Sequence, residues 1–469
     1  MFIQQLGRGL RKAAGKEYVV ILDYIGNYEK NFMIPIALSG DRTYNKDNVR
    51  RYVVEGGRVI PGESTVHFDE VSRKRIFKAI DEANFSDLKL IKENYFNLKN
   101  KLGHIPALGD FDRYGEMDVC RIFDNGTLGS YYKFLVKHDK EYTVRLSADE
   151  ENVVEFVSKK LANGKRIHEL LLLEGMLKRE EFLMVNLASE LNDGYGIALS
   201  RNGAENIVNV MTNEFPSGAG KSTYKDCVFV EKEIVDTEVC ERRLLKYAEG
   251  ILEPVRNSSR EGNPKDGFID YRVSAALKRM LLNRDFRDVL TELVEFGIGR
   301  YKKQYSKRYR DTDLVLYQKY TYEDVCRLLN WEHNEVPLNI GGYKYNDKTK
   351  TFPVFINYDK AEGITATTNY KDHFIDDSRL IAISKSNRSL ESDDVQNFLR
   401  AKERGINVEL FVRKNKDDNI SKEFYYLGRM SATGRAKEFV MEGTSAAAVE
   451  IEWELDRPVR DDIYKYLVM

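Results

Sequence analysis

A multidomain α+β chain, helical through its first two thirds and β-rich at its end, is the fold class this sequence predicts. Three observations carry that expectation. At 469 residues the chain is longer than one hydrophobic core usually organises. Apolar residues recur at helical spacing between about residues 70 and 213, whereas short β-branched and aromatic runs take over beyond residue 316. Between these regions Gly250 to Gly267 reads GILEPVRNSSREGNPKDG, a stretch rich in Pro, Gly, Ser, Asn and charge that suits a linker.

At the amino terminus Gln4, Gly7, Arg8 and Arg11 form the pattern Q-x-x-G-R-x-x-R, and a short apolar strand, Tyr18 to Tyr24, follows. On a helix Arg8 and Arg11 share a face. A planar, permanently charged guanidinium suits a phosphate oxygen, and phosphoryl transfer is catalysed mainly by positioning and charge stabilisation. Gly7 permits a tight turn into the helix. Gln4 can both donate and accept.

The next segment, Asn31 to about Asp139, reads as mainly helical, with amphipathic runs from Glu70 to Ala83 and from Leu88 to Leu102. Its middle breaks at Gly103, Pro106 and Gly109, as a structured turn between helices would. Three further helices are expected at Glu151 to Leu161, Arg166 to Leu177 and Arg179 to Leu191, a fourth near Ala204 to Asn213, and strands from Cys227 to Val235. Helices followed by a short ribbon are compatible with a winged helix. Its recognition helix would carry almost no basic residue, which favours protein packing over DNA reading. In the last domain Thr321 and Asp324 form a capping box, and Ser392 caps a helix expected to run to Arg404 and stop at Gly405. Strands are expected at Thr351 to Asn357, Arg379 to Ser384, Val408 to Val412, Phe424 to Leu427 and Ala448 to Leu455, packing as a small β-barrel or curled sheet.

Composition narrows the partners. The 74 basic side chains against 75 acidic leave net charge near zero, so nucleic acid could be held only by a local patch. Cys120, Cys227, Cys240 and Cys326 have no C-x-x-C spacing and the six histidines no H-x-x-x-H pairing, so neither a disulfide framework nor a metal site is expected. No apolar run of about 18 residues occurs, and the chain is read as cytoplasmic with no membrane partner.

Four constellations invite chemistry. In GRYKKQYSKRYR, Arg300, Lys303, Lys307 and Arg310 recur at three- and four-residue steps, so one helix would present them as a cationic stripe beside Tyr301 and Tyr305. Such a stripe either neutralises DNA phosphates or is a solvated basic face with its tyrosines tucked inside. The run SGAGKST, Ser217 to Thr223, fails as a phosphate loop, because G-x-x-x-x-G-K-[ST] needs a first glycine where Phe215 stands. An exposed turn is the better reading. The aromatics Trp331, Tyr343, Tyr345, Phe352, Phe355, Tyr358, Tyr370 and Phe374 could line a pocket for an extruded base, with Lys385, Arg388 and Arg413 as phosphate partners; alternating aromatics are more often core. Asp359 with Lys360, and Glu409 one strand later, is the nearest approach to a nuclease set, and a surface salt-bridge role suits it better. His333 with Asn334 lacks the second histidine of an HNH site.

The stretch MFIQQLGRGLRKAAGKEYVVILDYIGNY resembles motif VI and the following strand of superfamily 2 DNA helicases of the restriction and phage-defence type, the large bacterial res-subunit proteins. The turn containing Leu102, Gly103, Ile105 and Pro106, followed by Asp110 and Phe111, resembles their accessory helical segment. YTYEDVCRLLNW, GGYKYNDKTKTFPVFINYDK and FVRKNKDDNISKEFYYLGRM resemble their C-terminal domain of unknown function. The resemblance implies that Arg8 and Arg11 act catalytically on the γ-phosphate and that Gln4 and Gly7 bind ATP. It divides the chain into a remnant of the second RecA-like lobe (1–32), a helical accessory domain (33–147), a helical or winged-helix-like domain (148–262), a helical connector (263–315) and a β-rich C-terminal domain (316–469). ATP and Mg²⁺ would belong to the full-length helicase, with no cofactor expected for this chain alone. The partners would be DNA and the missing N-terminal lobe, or a nuclease. A stand-alone nucleic-acid-binding or modified-base-reading module, or a scaffold for a nuclease, is the alternative.

Overall fold

The computed structural model describes residues 20, 31–55, 66–83, 87–257, 265–359, 372–415, 422–441 and 445–468. Gln4, Gly7, Arg8, Arg11 and the strand expected at Tyr18 to Tyr24, Val20 apart, lie outside the described residues, as does Tyr370. The fold is mixed α/β, with a helical body and a curled half-barrel sheet.

The helical body is built from α1 (Lys46–Glu55), α2 (Glu70–Glu82), α3 (Leu88–Leu102), α4 (Ala148–Lys160), α5 (His168–Lys178), α6 (Leu183–Tyr195), α7 (Arg201–Met211) and α8 (Arg284–Arg300), with shorter helices between them. Asp87 starts α3 by accepting from the Lys89 amide at 2.9 Å, and Gly103 stops it in the left-handed region at φ +77°. The centre of the body is the packing of α5 on α6 and α8. Gly297 of α8 makes this possible, since a Cβ there would stand 2.8 Å from Leu170 Cδ2 of α5. Gly164, at φ +73°, brings the loop after α4 onto the same place, where its Cβ would stand 2.7 Å from the Gly297 carbonyl oxygen.

Between α7 and α8 stands a three-stranded antiparallel sheet in the order β1–β3–β2: β1 (Val230–Asp236), β2 (Pro254–Asn257) and β3 (Lys265–Val273). This corrects the linker expected at Gly250 to Gly267, which contains β2 and the start of β3. Gly267 sits inside the sheet because the Val235 carbonyl oxygen passes 2.7 Å from where its Cβ would be.

The carboxyl-terminal part holds β4 (Lys319–Tyr320), α9 (Tyr322–Leu328), β5 (Thr351–Asp359), β6 (His373–Phe374), β7 (Arg379–Ile383), α10 (Asp393–Leu399), β8 (Asn407–Asn415), β9 (Phe424–Val440), β10 (Ala447–Leu455) and α11 (Asp461–Val468). The strands form one sheet in the order β5–β8–β9–β10–β7–β6, with β4 added to β9; β5 and β8 run parallel and the other pairs antiparallel. The helix expected to run from Ser392 to Arg404 stops earlier, at Leu399, and the Ser392 hydroxyl accepts from the Ser389 amide instead of capping it. β9 is far longer than the Phe424 to Leu427 run, because β10 pairs with it as far as Val440 across a bulge at Gly434. One apolar core runs from Ile34 through α9 and Trp331 to Tyr426, continuous across residue 315, and a second lies within the β-rich part.

Candidate functional site

Chemistry concentrates along the seam where α4, α5 and α8 meet β4, α9 and the start of β9. Thr321 and Asp324 form the expected capping box: the Asp324 amide donates to Thr321 Oγ1 at 3.2 Å and the Thr321 amide to Asp324 Oδ2 at 3.0 Å. The same Asp324 oxygen accepts from Lys165 Nζ at 2.7 Å, and Lys165 also donates to Glu423 at 2.8 Å. Burial pushes the Asp324 carboxyl up, but Lys165 and Arg327 outweigh it and hold it at about 2. Next to it Arg166, 1 % exposed, pairs with Glu169 and donates to the Arg327 carbonyl at 2.8 Å and to Asn206 Oδ1 at 2.6 Å. Asn206 passes the network on to the Trp331 carbonyl at 2.5 Å. Glu169 is fully buried, and Arg166 and Arg327 overcome that desolvation to hold it at about 2.

Two clefts open on this seam. One, of about 460 Å³, lies between α4, the strap Phe215 to Thr223 and α9; the other, of about 370 Å³, reaches toward α1 and β4. Asp124, Lys159, Asn163, Lys165 and Glu423 line both. Most cations of the larger cleft are already paired: Lys159 with Glu155 at 2.8 Å, Lys160 with Glu323 at 2.8 Å and Lys165 as above. Asp124 is exposed to solvent yet hemmed in by the cleft walls, and that desolvation pushes its carboxyl up to about 6. The strap is fastened by the Asn334 amide donating to the Phe215 carbonyl at 2.7 Å.

The cationic stripe does not form. The regular helix ends at Arg300 and gives way to a π-helical turn, Tyr301–Tyr305, followed by irregular chain, so the three- and four-residue spacing no longer maps to one face. Arg300 is 7 % exposed and donates to both Asp118 oxygens at 3.0 Å. Arg310, at φ +54°, pairs with Asp456 at 2.7 Å. Lys303 is exposed with Asp112 3.6 Å away, and Lys307 is exposed. Tyr301 and Tyr305 are buried.

SGAGKST contains a short helix, Ala219–Thr223, whose Lys221 pairs with Glu214 at 2.5 Å, and its chain forms one wall of the larger cleft. Of the aromatic set, Trp331, Tyr343, Phe352, Phe355 and Phe374 are buried in the two cores, so they are packing and not a pocket wall. Arg388 pairs with Asp394 at 2.7 Å. Glu409 is buried, accepting from Tyr426 Oη at 2.5 Å and Arg429 Nε at 2.7 Å, an ion pair inside the fold and not the surface one expected, while Lys360 lies outside the described residues. Among the described residues no group of three or more His, Cys, Asp or Glu could hold a metal ion, and no helix is long and apolar enough to cross a membrane. The sequence marks the seam at the Thr321 and Asp324 box and at the Ser217 to Thr223 run, but not at Lys165 and Arg166, an ordinary basic stretch until Asp324 and Glu423 are brought to it.

Residues 91–249 match the family model of a domain of unknown function, DUF8090, and residues 314–467 match that of a second, DUF3427. The first ends within the three-stranded-sheet region and the second covers the half-barrel with α9 and α11. No curated protein matches the chain.

Proposed function

We propose that this chain is the C-terminal portion of an ATP-dependent DNA helicase or translocase of the restriction or phage-defence type, binding DNA and inactive as an ATPase alone. The observation that carries this reading is the pattern Gln4, Gly7, Arg8, Arg11 followed by the apolar run Tyr18 to Tyr24, which resembles motif VI and the next strand of a second RecA-like lobe. In this reading Arg8 and Arg11 stabilise charge on a γ-phosphate whose clamp and Mg²⁺ a first lobe supplies. The helices α4 to α7 followed by β1 support a winged-helix-like 148–262, its sheet being completed by β3 beyond residue 262; α7 carries Arg201 as its sole basic residue, which favours a protein-packing role there.

Hydrolysis of ATP by the purified chain, alone and with a first RecA-like lobe added in trans, tests the proposal. The expected result is no turnover alone, turnover on mixing, and loss of that turnover in Arg8→Ala and Arg11→Ala. Turnover by the chain alone, or reconstituted turnover indifferent to both substitutions, overturns it.

A further inference from the structure

The larger cleft gathers polar atoms that the protein itself leaves unsatisfied. Ser217 Oγ, Asn334 Oδ1 and both terminal nitrogens of Arg327 are buried without a hydrogen-bond partner among the described residues, and all three residues line this one cleft. Arg327 is 5 % exposed; its nearest carboxylates, Glu169 and Asp324, stand at 3.6 and 3.9 Å, beyond hydrogen-bonding range. A buried donor or acceptor left unmet costs about 1–3 kcal/mol, so an occupant that met the atoms of these three residues would gain that much at each, Arg327 being matched in charge but not in hydrogen bonds.

The lining selects the occupant's chemistry. Four cationic and four acidic side chains line the cleft, so it favours neither a polyanion nor a cation. Asn334 Oδ1 asks for a donor and Arg327 for an acceptor, while Phe156, Phe215 and Tyr224 supply apolar walls. A flat heterocycle with a mixed donor and acceptor edge meets all of these demands, and a volume of about 460 Å³ admits one such ring with its sugar.

The geometry points to a nucleobase-binding site in the cleft between the Phe215 to Thr223 strap and α9, in which Asn334 and Arg327 read the edge of the base and Ser217 adds a hydrogen bond. The base reaches it either as a free nucleotide or as an unpaired position of a DNA strand; only the second source rests on the DNA-motor reading above. Reading the edge with an amide and a guanidinium is how proteins discriminate bases elsewhere. Extruding the base gives access to its edge.

Calorimetric titration of the full chain with each of the four 2′-deoxynucleosides, and with a short single-stranded oligonucleotide, tests the site. At least one deoxynucleoside should bind one to one, and Ser217→Ala and Asn334→Ala should each weaken it about tenfold, the size expected from losing one hydrogen bond to a buried group. Asn334→Asp should change the order of preference among the four bases, a readout that a merely structural asparagine would not move. Competition between oligonucleotide and deoxynucleoside assigns the site to a DNA strand, and absence of competition assigns it to a free nucleotide. Failure of every deoxynucleoside and of the oligonucleotide to bind, or binding untouched by all three substitutions, overturns the proposal. Lys303→Glu with Lys307→Glu separates the two readings: loss of duplex binding with deoxynucleoside binding intact speaks to the DNA surface alone.

Discussion

Asp270 offers a sharp test of how this fold handles a buried charge. It lies on β3 at 1 % exposure, and its Oδ1 accepts from the Met184 amide at 3.0 Å, capping the start of α6 from outside the helix, and from the Tyr271 amide at 2.7 Å. Its Oδ2 has no hydrogen-bond partner among the described residues. Burial pushes the carboxyl up to about 6, and the amides of Met184, Tyr271 and Val185 only partly offset it. A carboxyl whose folded value is raised from 3.8 to about 6 contributes stability that is complete below 3.8 and lost as pH climbs through 6. At about 1.36 kcal/mol per unit that is roughly 3 kcal/mol between pH 3.5 and 7. Asp270→Asn keeps an acceptor for the Met184 amide, places a donor where Oδ2 was unmet and removes the ionisation. Urea denaturation of both proteins at a series of pH values should show the variant's stability falling about 3 kcal/mol less than the parent's over that interval. Parallel stability–pH curves would refute the argument, because they would mean that Asp270 holds its proton no more tightly when folded than when unfolded.

The other predictions concern the seam and its surroundings. Glu169→Gln should destabilise the protein by about 3–5 kcal/mol, measured by denaturant titration, because it leaves Arg166 and Arg327 charged and buried without their carboxylate. Replacing Arg166 and Glu169 together by methionine should cost clearly less than the sum of the single replacements, a coupling that a double-mutant cycle reads directly. Gly164→Ala should lower stability by at least about 1–2 kcal/mol in thermal unfolding, since its φ of +73° is left-handed and its new Cβ meets the Gly297 carbonyl. Charge reversal at Lys303 and Lys307 together should weaken DNA binding in low salt with the fold intact, whereas Arg300→Glu should lower stability itself by opposing Asp118.

Local signals were readable where one residue type has one physical use. The helix at Leu88–Leu102 falls where its spacing places it, because an aspartate cap and a left-handed glycine bound it within the same sequence window. The Thr321 and Asp324 box is equally local. Glycine between Gly250 and Gly267 misled, since a glycine admitted by a crowded sheet and a glycine of a flexible linker look alike; only the Val235 carbonyl beside Gly267 distinguishes them. The outer half of β9 is not legible as strand because it is polar and interrupted by Gly434, and its pairing with β10 is a tertiary fact. The amino-terminal arginine motif is carried by sequence alone. In the cleft, Ser217 and Asn334 belong to two separate patterns, SGAGKST and the His333–Asn334 pair, and nothing in either spacing joins them; the backbone bond from Asn334 to Phe215 does.

The fate of the basic residues separates welding charges from contact charges. Helical spacing marks Arg300 as one of a stripe, but spacing cannot see Asp118, which lies 182 residues earlier and meets its guanidinium at 3.0 Å. The same is true of Lys165, whose carboxylates come from 159 and 258 residues away. Arg300 and Lys165 are each desolvated and matched, so a phosphate arriving there would have to displace a carboxylate already in contact. The exposed ammonium groups of Lys303 and Lys307 face no such competitor at hydrogen-bonding distance among the described residues, and two exposed charges give affinity with little selectivity. Selectivity therefore has to come from groups that are desolvated but unmatched. Along the seam that description fits Asn334 and Ser217, with Arg327 matched in charge by Glu169 and Asp324 but not hydrogen-bonded to them, which is why base preference in Asn334→Asp, more than loss of binding in any lysine variant, tests the proposed site.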